Sequence, residues 1–433
     1  MNLLHSNDRP GQYPDSWYAA SATPLPPFPP LQGETRADIA IVGAGFTGLS
    51  TALHAAQKGY DVVLIDAHRI GFGASGRNGG QVAAGQRQDQ DYLEHAFGKD
   101  DARKLWDVSV DSVELVKSLI AAHGIDAEWR DGVAHADWTE PAATAAREYS
   151  ERIARDYDYD KLEVLDRDGI RALIGSEAFH GGAVDWGSGH MHPLRFAIGL
   201  ARAAQAAGVR IHEMTEATSV EQGLVRTANG TIRADQVVLA CNGYLGTLNR
   251  PTARRFMAIN NFIVATEPLG DRAAQVLAKD IAVADSRFVV NYWRLSHDKR
   301  LLFGGGENYG YRFPKDIAGL VRKPMLEIYP HLSHVKIDYA WGGTLAITQT
   351  RMPDFSRPAP GLWSASGYSG HGVALATLAG KIVAEAIHGD LTQFDTMARA
   401  RPPAIPMPLA PGLRMASVAV VMSWFALRDR LGI

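Results

Sequence analysis

Three glycines, Gly43, Gly45 and Gly48, follow at once on a short apolar run from Asp38 to Val42. Such a run suits a strand buried in a parallel sheet. Gly43 permits a tight turn, Gly45 lets a pyrophosphate approach the backbone, and Gly48 lets the helix opened by Phe46 and Thr47 pack closely on the sheet. Ala52 keeps the packed face small, and Gly59 can end the helix in a left-handed conformation. A second apolar run, Val62 to Ile65, delivers Asp66 and Ala67. The Asp66 carboxylate lies about 20 residues beyond the glycines, where it can accept hydrogen bonds from an adenosine ribose. Strand, glycine triplet, helix, glycine stop, strand and acid, in that order, describe a dinucleotide site. A carboxylate would repel a 2′-phosphate, which argues against NADP and leaves FAD and NAD.

Two further segments bear on that choice. Gly71 to Gln81 contains Ser75, Arg77, Asn78, Gly79, Gly80 and Gln81 in a glycine-rich run that cannot form a regular helix. Its amides and polar side chains could line a pyrophosphate and a ribityl chain; a surface loop is the plain alternative. Gly367 to Val373 then places Gly370, His371, Gly372 and Val373 at the start of a helix expected over 374–387. Free amides at such a start, with the positive end of the helix dipole, stabilise the negative charge that a reduced flavin carries near N1 and the C2 carbonyl. His371 is the candidate general base, against a loop that works through its backbone.

The GxGASGRNGGQ run directly after the first βαβ unit resembles that of the D-amino acid oxidase superfamily of flavoproteins. The resemblance implies FAD, with the loop against the flavin and the late helix start at the pyrimidine edge. It also implies adenine contacts from the backbone near Ala217 and Thr218, after a strand at 210–213. A helix from His192 and Pro193 to about Gly208, and a hairpin turning at Asn229 and Gly230, are expected around that strand. The apolar strand 237–240 then ends at Ala240 and Cys241, where the family often has Ala-Thr-Gly. Cys241 is therefore a departure, read as a small buried hydrophobe, with a flavin thioether as the minor alternative. FAD is expected to be bound without a covalent bond, because GRNGGQ offers no histidine or cysteine.

Within the superfamily, SWYAASA at Ser16 to Ala22, GRNGGQ at Gly76 to Gln81 and SWFALRDRL at Ser423 to Leu431 resemble γ-glutamylputrescine oxidase and its relatives in polyamine catabolism. That implies an FAD-dependent oxidase of a small amine, with γ-glutamylputrescine or a related N-substituted diamine as substrate and dioxygen as acceptor. Oxidases or dehydrogenases of sarcosine, glycine and D-amino acids share the FAD features. An NAD-dependent dehydrogenase fits the opening motif but leaves GRNGGQ and the late helix start unexplained, and a non-catalytic flavoprotein module is a further alternative.

The elements that must position these groups form an α/β protein: a Rossmann-like FAD domain interleaved with an α+β substrate domain on a mixed or antiparallel sheet. At 433 residues the chain exceeds one ordinary core. The expected division is an arm over 1–35, FAD segments over 36–89, 168–243 and 341–395, substrate segments over 90–167 and 244–340, and a proline-rich arm with a C-terminal helix over 396–433. Phe288, Val290, Tyr292 and Arg294 alternate like a strand, as do Leu301 and Phe303 beyond a turn at 297–299. Tyr292, Trp293, Trp341 and Tyr368 are candidate substrate-pocket walls, with Arg294 and Glu307 as charge partners; core packing is the bland reading for each aromatic.

A net charge of −3 from 44 basic and 47 acidic residues offers no general field for nucleic acid. One cysteine excludes an intramolecular disulfide and a cysteine-based zinc site, and no metal is expected. Without a secretory pattern or an 18-residue apolar run, a cytoplasmic protein is expected. The apolar stretch from Met415 to Leu427 reads as a helix docked on the body or lying on a bilayer.

Overall fold

The computed structural model describes residues 2–308, 310 and 312–405. Two sheets carry the described chain. The first runs, in spatial order, Asp354–Ala359, Leu362–Ser366, Gly230–Leu239, Gly33–Val42, Val62–Ile65 and Arg210–His212, with the hairpin Ala217–Glu221/Leu224–Thr227 attached to Gly230–Leu239. Its central pairings are parallel, Ile39 to Val42 lying against Val62 to Ile65 on one side and Gln236 to Leu239 on the other. Strands buried on both faces need apolar side chains both ways, and Ile39, Ala40, Ile41 and Val42 are all buried.

The second sheet runs Ile337–Thr348, Phe256–Thr266, Leu301–Asn308, Tyr292–Leu295, Ala282–Asp285, Arg130–Asp137, Gly181–His190 and Gln81–Val82, with Leu162–Leu165 beside Gly181–His190. It is mixed: Ala282–Asp285 pairs parallel with Arg130–Asp137, and the other pairings are antiparallel. One core lies between the first sheet and helices Phe46–Gln57, Lys99–Ala122, Pro193–Ala206 and Gly372–His388. Another lies between the second sheet and helices Arg167–Ile174 and Ile337-adjacent Ile317–Ile328.

Several expected boundaries shift. Gly181–His190, expected inside the FAD segment 168–243, belongs to the second sheet, and the expected boundary at 341 falls within the second-sheet strand Ile337–Thr348. The lysine- and alanine-bearing helix Lys99–Ala122, expected with the substrate segment 90–167, packs in the core beneath the first sheet. These pairings join residues far apart in the chain, so local composition does not mark them.

The hairpin before Gly230–Leu239 is present, but Gly230 is already in the strand. A β-carbon there would stand 2.4 Å from the carbonyl oxygen of Gly33, so the glycine is needed for close approach rather than for the turn. The expected strand from Phe288 begins only at Tyr292; Ser286 to Phe288 are held in a bend by Asp285, whose carboxylate accepts from the backbone of Arg287 and Asn291. The proline-rich stretch 24–30 crosses the surface without helix or strand, and the C-terminal helix expected over 415–427 lies outside the described residues. Among the described residues no helix is long and apolar enough to cross a membrane, and no cluster of metal-ligating side chains occurs.

Candidate dinucleotide cleft and substrate face

The glycine turn sits where Gly33–Val42 hands over to helix Phe46–Gln57. Gly43 has φ +108°, a left-handed conformation that an L side chain rarely adopts, and a β-carbon there would also meet the Ala240 carbonyl oxygen at 2.7 Å. At Gly48 a β-carbon would stand 1.8 Å from the Gly43 carbonyl oxygen, so only glycine lets the helix close on the turn. Gly45 faces the Ser75 hydroxyl, 2.8 Å from where its β-carbon would be. That hydroxyl accepts from the Phe46 amide at 2.9 Å, which ties the glycine-rich loop to the helix start.

Asp66 accepts from the amides of Ala44 at 2.7 Å and His68 at 2.8 Å. Burial pushes its pKa up to about 6, against the lowering effect of those two amides. The second helix, Gly372–His388, crosses Phe46–Gln57 at Gly380, where a β-carbon would lie 2.5 Å from the Thr47 carbonyl oxygen. Both helix starts line one cleft, and the Tyr368 hydroxyl meets the Thr47 hydroxyl at 2.7 Å.

A cleft of about 1190 Å³, its open mouth included, runs past these groups. Gly43, Gly45, Phe46, Thr47, Asp66 and Ala67 line it, as do Ser75, Asn78, Ala217, Ala240, Tyr368, Gly370, Gly372 and Val373. The remaining candidates lie outside its lining. Gly48 is spent on helix packing. Arg77 is buried, donating to the Phe72 and Gly342 carbonyls and to the Asp8 carboxylate, with its guanidinium 4.5 Å from the Phe72 ring centroid. Gly80 abuts the Met191 carbonyl, and the Gln81 side chain donates to the Val283 carbonyl at 2.7 Å. Half of the loop thus faces the cleft, while Arg77 and Gly79 to Gln81 rivet it to the second sheet.

His371 is a poor general base. Burial, with the charge of Arg87, lowers its pKa to about 4, and among the described residues its Nε2 has no hydrogen-bond partner. Cys241 does line the cleft; its thiol donates to the Val42 carbonyl at 3.3 Å, and burial pushes its pKa up to about 12, which keeps it a thiol.

The substrate candidates divide by the pleat of Tyr292–Leu295. Trp293 faces the second core, stacked 5.6 Å from Phe303, and is no pocket wall. Tyr292 and Arg294 point the other way. Arg294 is buried and donates to the Gly79 carbonyl at 2.9 Å and to the Tyr18 hydroxyl at 3.3 Å, so it clamps the loop. Trp341 supports the same loop, its indole donating to the Arg77 carbonyl at 3.0 Å. The Tyr292 ring packs over Gly79 and Gly304, and its hydroxyl donates to Asn261 Oδ1 at 2.5 Å. Glu307 acts electrostatically on both Tyr292 and Arg87.

Composition did not single out several neighbours. His135 alternates with Ala134 and Ala136, which enter the second core, and its own side chain remains 55% exposed. Partial desolvation against the protein lowers its pKa; Asp285 opposes this and Arg87 adds to it. Asn242, at φ +44°, accepts from the Gly367 amide at 3.0 Å and so ties the strand end to the late glycine loop. The Asn-Gly pair after Cys241 was the available signal, since asparagine tolerates that conformation. Tyr244 lines the cleft with a buried hydroxyl that has no partner among the described residues.

These residues fit FAD. The cleft passes a Gly45 cradle that a β-carbon would fill, two helix starts, the Asp66 carboxylate and the orphaned Tyr244 hydroxyl. The family model described as FAD dependent oxidoreductase matches residues 38–386. The chain is 41% identical over 96% of its length to a probable oxidoreductase OrdL of Rhizobium meliloti (strain 1021), covering 97% of that protein. It is 39% identical over 98% of its length to gamma-glutamylputrescine oxidoreductase of Escherichia coli (strain K12), covering 100% of it. Its fold matches glycine oxidase from Geobacillus kaustophilus with a TM-score of 0.69 at 21% identity, over 83% of this chain and 98% of that one. A family match through both glycine motifs, and relatives aligned end to end, make this chain a member of the FAD-dependent oxidoreductase family.

Proposed function

We propose that the enzyme oxidises the free amine carbon of γ-glutamylputrescine or a related N-substituted diamine. Amine, dioxygen and water give aldehyde, ammonia and hydrogen peroxide. Bound FAD supplies the two-electron acceptor. Gly43, Gly45, Asp66, Ser75 and Asn78 would hold its dinucleotide portion, and the amides at Gly370 to Val373 would face the charge that reduction creates.

The observation that carries the substrate reading is a charge arrangement near the late glycine loop. Arg87 acts electrostatically on His371, whose neighbours Gly370 and Gly372 line the cleft, and Arg351 and Glu307 both act on Arg87. Two guanidinium groups and one carboxylate suit an α-amino acid head group, with its carboxylate and its ammonium. Tyr292 and Tyr368 would flank the carbon chain. The whole-length similarity to gamma-glutamylputrescine oxidoreductase supports the same substrate class. Sparing use of cysteine supports a cytoplasmic setting.

Hydride transfer requires the nitrogen lone pair, so the neutral amine is the reactive form and activity rises with pH. Steady-state peroxide release from γ-glutamylputrescine, putrescine, sarcosine, glycine and D-alanine tests the reading. The γ-glutamyl compound should give the highest kcat/KM and bare putrescine a low one. Preference for sarcosine or an α-amino acid would replace it with an amino acid oxidase.

A further inference from the structure

The segment 2–13 precedes the matched family region, yet it reaches the cleft. Leu4 is part of the wall, beside Ala67 and His68 at the end of strand Val62–Ile65 and beside Thr215 to Ala217. This is the end of the cleft where Asp66 stands, and Tyr368 and Gly372 mark the other helix start.

The segment is tied down on both sides of Leu4. His68 Nε2 donates to the Leu4 carbonyl at 2.8 Å, and its Nδ1 accepts from the Gly11 amide at 3.2 Å. These roles require the neutral ring protonated on Nε2, which stacks on Phe72 with centroids 3.9 Å apart. Glu216 accepts from Asn2 at 3.1 Å and pairs with His5 at 2.8 Å. Asp8 pairs at 3.0 Å with the buried Arg77, and the Tyr13 hydroxyl donates to the Ile70 carbonyl at 2.8 Å.

The two halves of this strap differ in strength. His5 and Glu216 are 42% and 38% exposed, so their pairing is weak. Asp8 and Arg77 are 10% and 1% exposed, a desolvated pair whose separation would strand a buried charge. Asn7 also accepts from the Phe313 amide at 2.8 Å, so residues 2–6 can lift while Asn7 and Asp8 stay fixed.

We propose that residues 2–6 form a third wall of the FAD site, a flap latched by His68 and Glu216 that holds Leu4 against the adenosine end of the cofactor. The proposal rests on FAD occupying this cleft. With the flap closed, Leu4 covers apolar cofactor surface, and FAD leaves only after the flap lifts, so the flap sets the rate of cofactor loss.

The test uses the full-length FAD-loaded enzyme, a variant lacking residues 2–6, and the single variants Leu4→Ala and Glu216→Ala. Each is diluted, and the return of free-flavin fluorescence is followed; the melting temperature of each apoprotein is measured alongside. Truncation should speed FAD release about tenfold, the deficit of about 1.4 kcal/mol that factor represents. Leu4→Ala and Glu216→Ala should give smaller increases in the same direction, with apoprotein melting temperatures unchanged. Release rates within twofold of the parent in all folded variants would overturn the proposal, as would faster release that appears only with a loss of apoprotein stability. Gly45→Val separates the two readings: if that variant still holds FAD, the cleft assignment fails, whatever the flap variants show.

Discussion

A β-carbon on Gly79 would stand 2.7 Å from Cδ2 of Tyr292. A β-carbon on Gly304 would approach Cε2 and Cζ of the same ring to 2.1 Å, so two glycines on different segments accommodate one aromatic side chain. Arg294 fixes the same loop by its hydrogen bond to the Gly79 carbonyl. The loop that faces the cleft through Ser75 and Asn78 therefore packs against Tyr292 through Gly79.

Gly79→Ala should displace the Tyr292 ring while leaving the cleft lining in place. The expected outcome is bound flavin with a normal absorption spectrum and a kcat/KM lowered by about 10- to 100-fold, the scale of a small misplacement in an active site. Parent kinetics in this variant would remove Tyr292 from the substrate wall.

Gly45 and Gly48 should fail in different ways. Gly45→Val fills the space beside Ser75 required by the cofactor, so the folded protein should purify colourless. Gly48→Ala forces a β-carbon against the Gly43 carbonyl oxygen and should destabilise the fold by about 1 to 3 kcal/mol, read as a lower denaturation midpoint. A yellow, folded Gly45→Val protein contradicts the assignment.

Asp8→Ala removes the ion-pair partner of Arg77, whose buried Nη2 already has no hydrogen-bond partner among the described residues. Breaking such a pair costs about 3 to 5 kcal/mol, so the melting temperature should fall clearly. Asp8→Asn should recover part of the loss by keeping an acceptor. Equal melting temperatures for parent and Asp8→Ala would show that this arm is energetically idle.

Acid should weaken the fold through buried imidazoles. Burial is the main cause that lowers His54 to about 4, His190 to about 3 and His371 to about 4. Their stabilising contribution is complete above the ordinary value of 6.5 and is lost as pH falls through the folded values. Asp66 and Asp137, raised by burial to about 6, act with the opposite sign: their contribution is complete below 3.8 and lost as pH rises through 6. The larger displacements belong to the histidines, so the melting temperature should fall between pH 6.5 and 4. A flat or rising profile toward acid contradicts this balance.

The dinucleotide turn was legible because its geometry is local: strand, glycines, helix and Asp66 lie within one βαβ unit. The polar side chains of the next loop were legible as donors, but their partners were not. Arg77 turns to Asp8 and two carbonyls, and Arg294 to the Gly79 carbonyl and Tyr18. Adjacent residues in a strand face opposite sides, which is why Tyr292 and Trp293 could not both be pocket walls. The arm around Leu4 carries no motif; only contacts to distant residues bring it to the cleft.

The most direct test of the proposed activity is anaerobic reduction of the bound flavin, followed by loss of its absorbance near ~450 nm, a property of the cofactor. γ-Glutamylputrescine should bleach the flavin quickly and completely, faster at higher pH, with putrescine, sarcosine, glycine and D-alanine slower. Rapid bleaching by sarcosine or an α-amino acid, with none by γ-glutamylputrescine, would contradict the account.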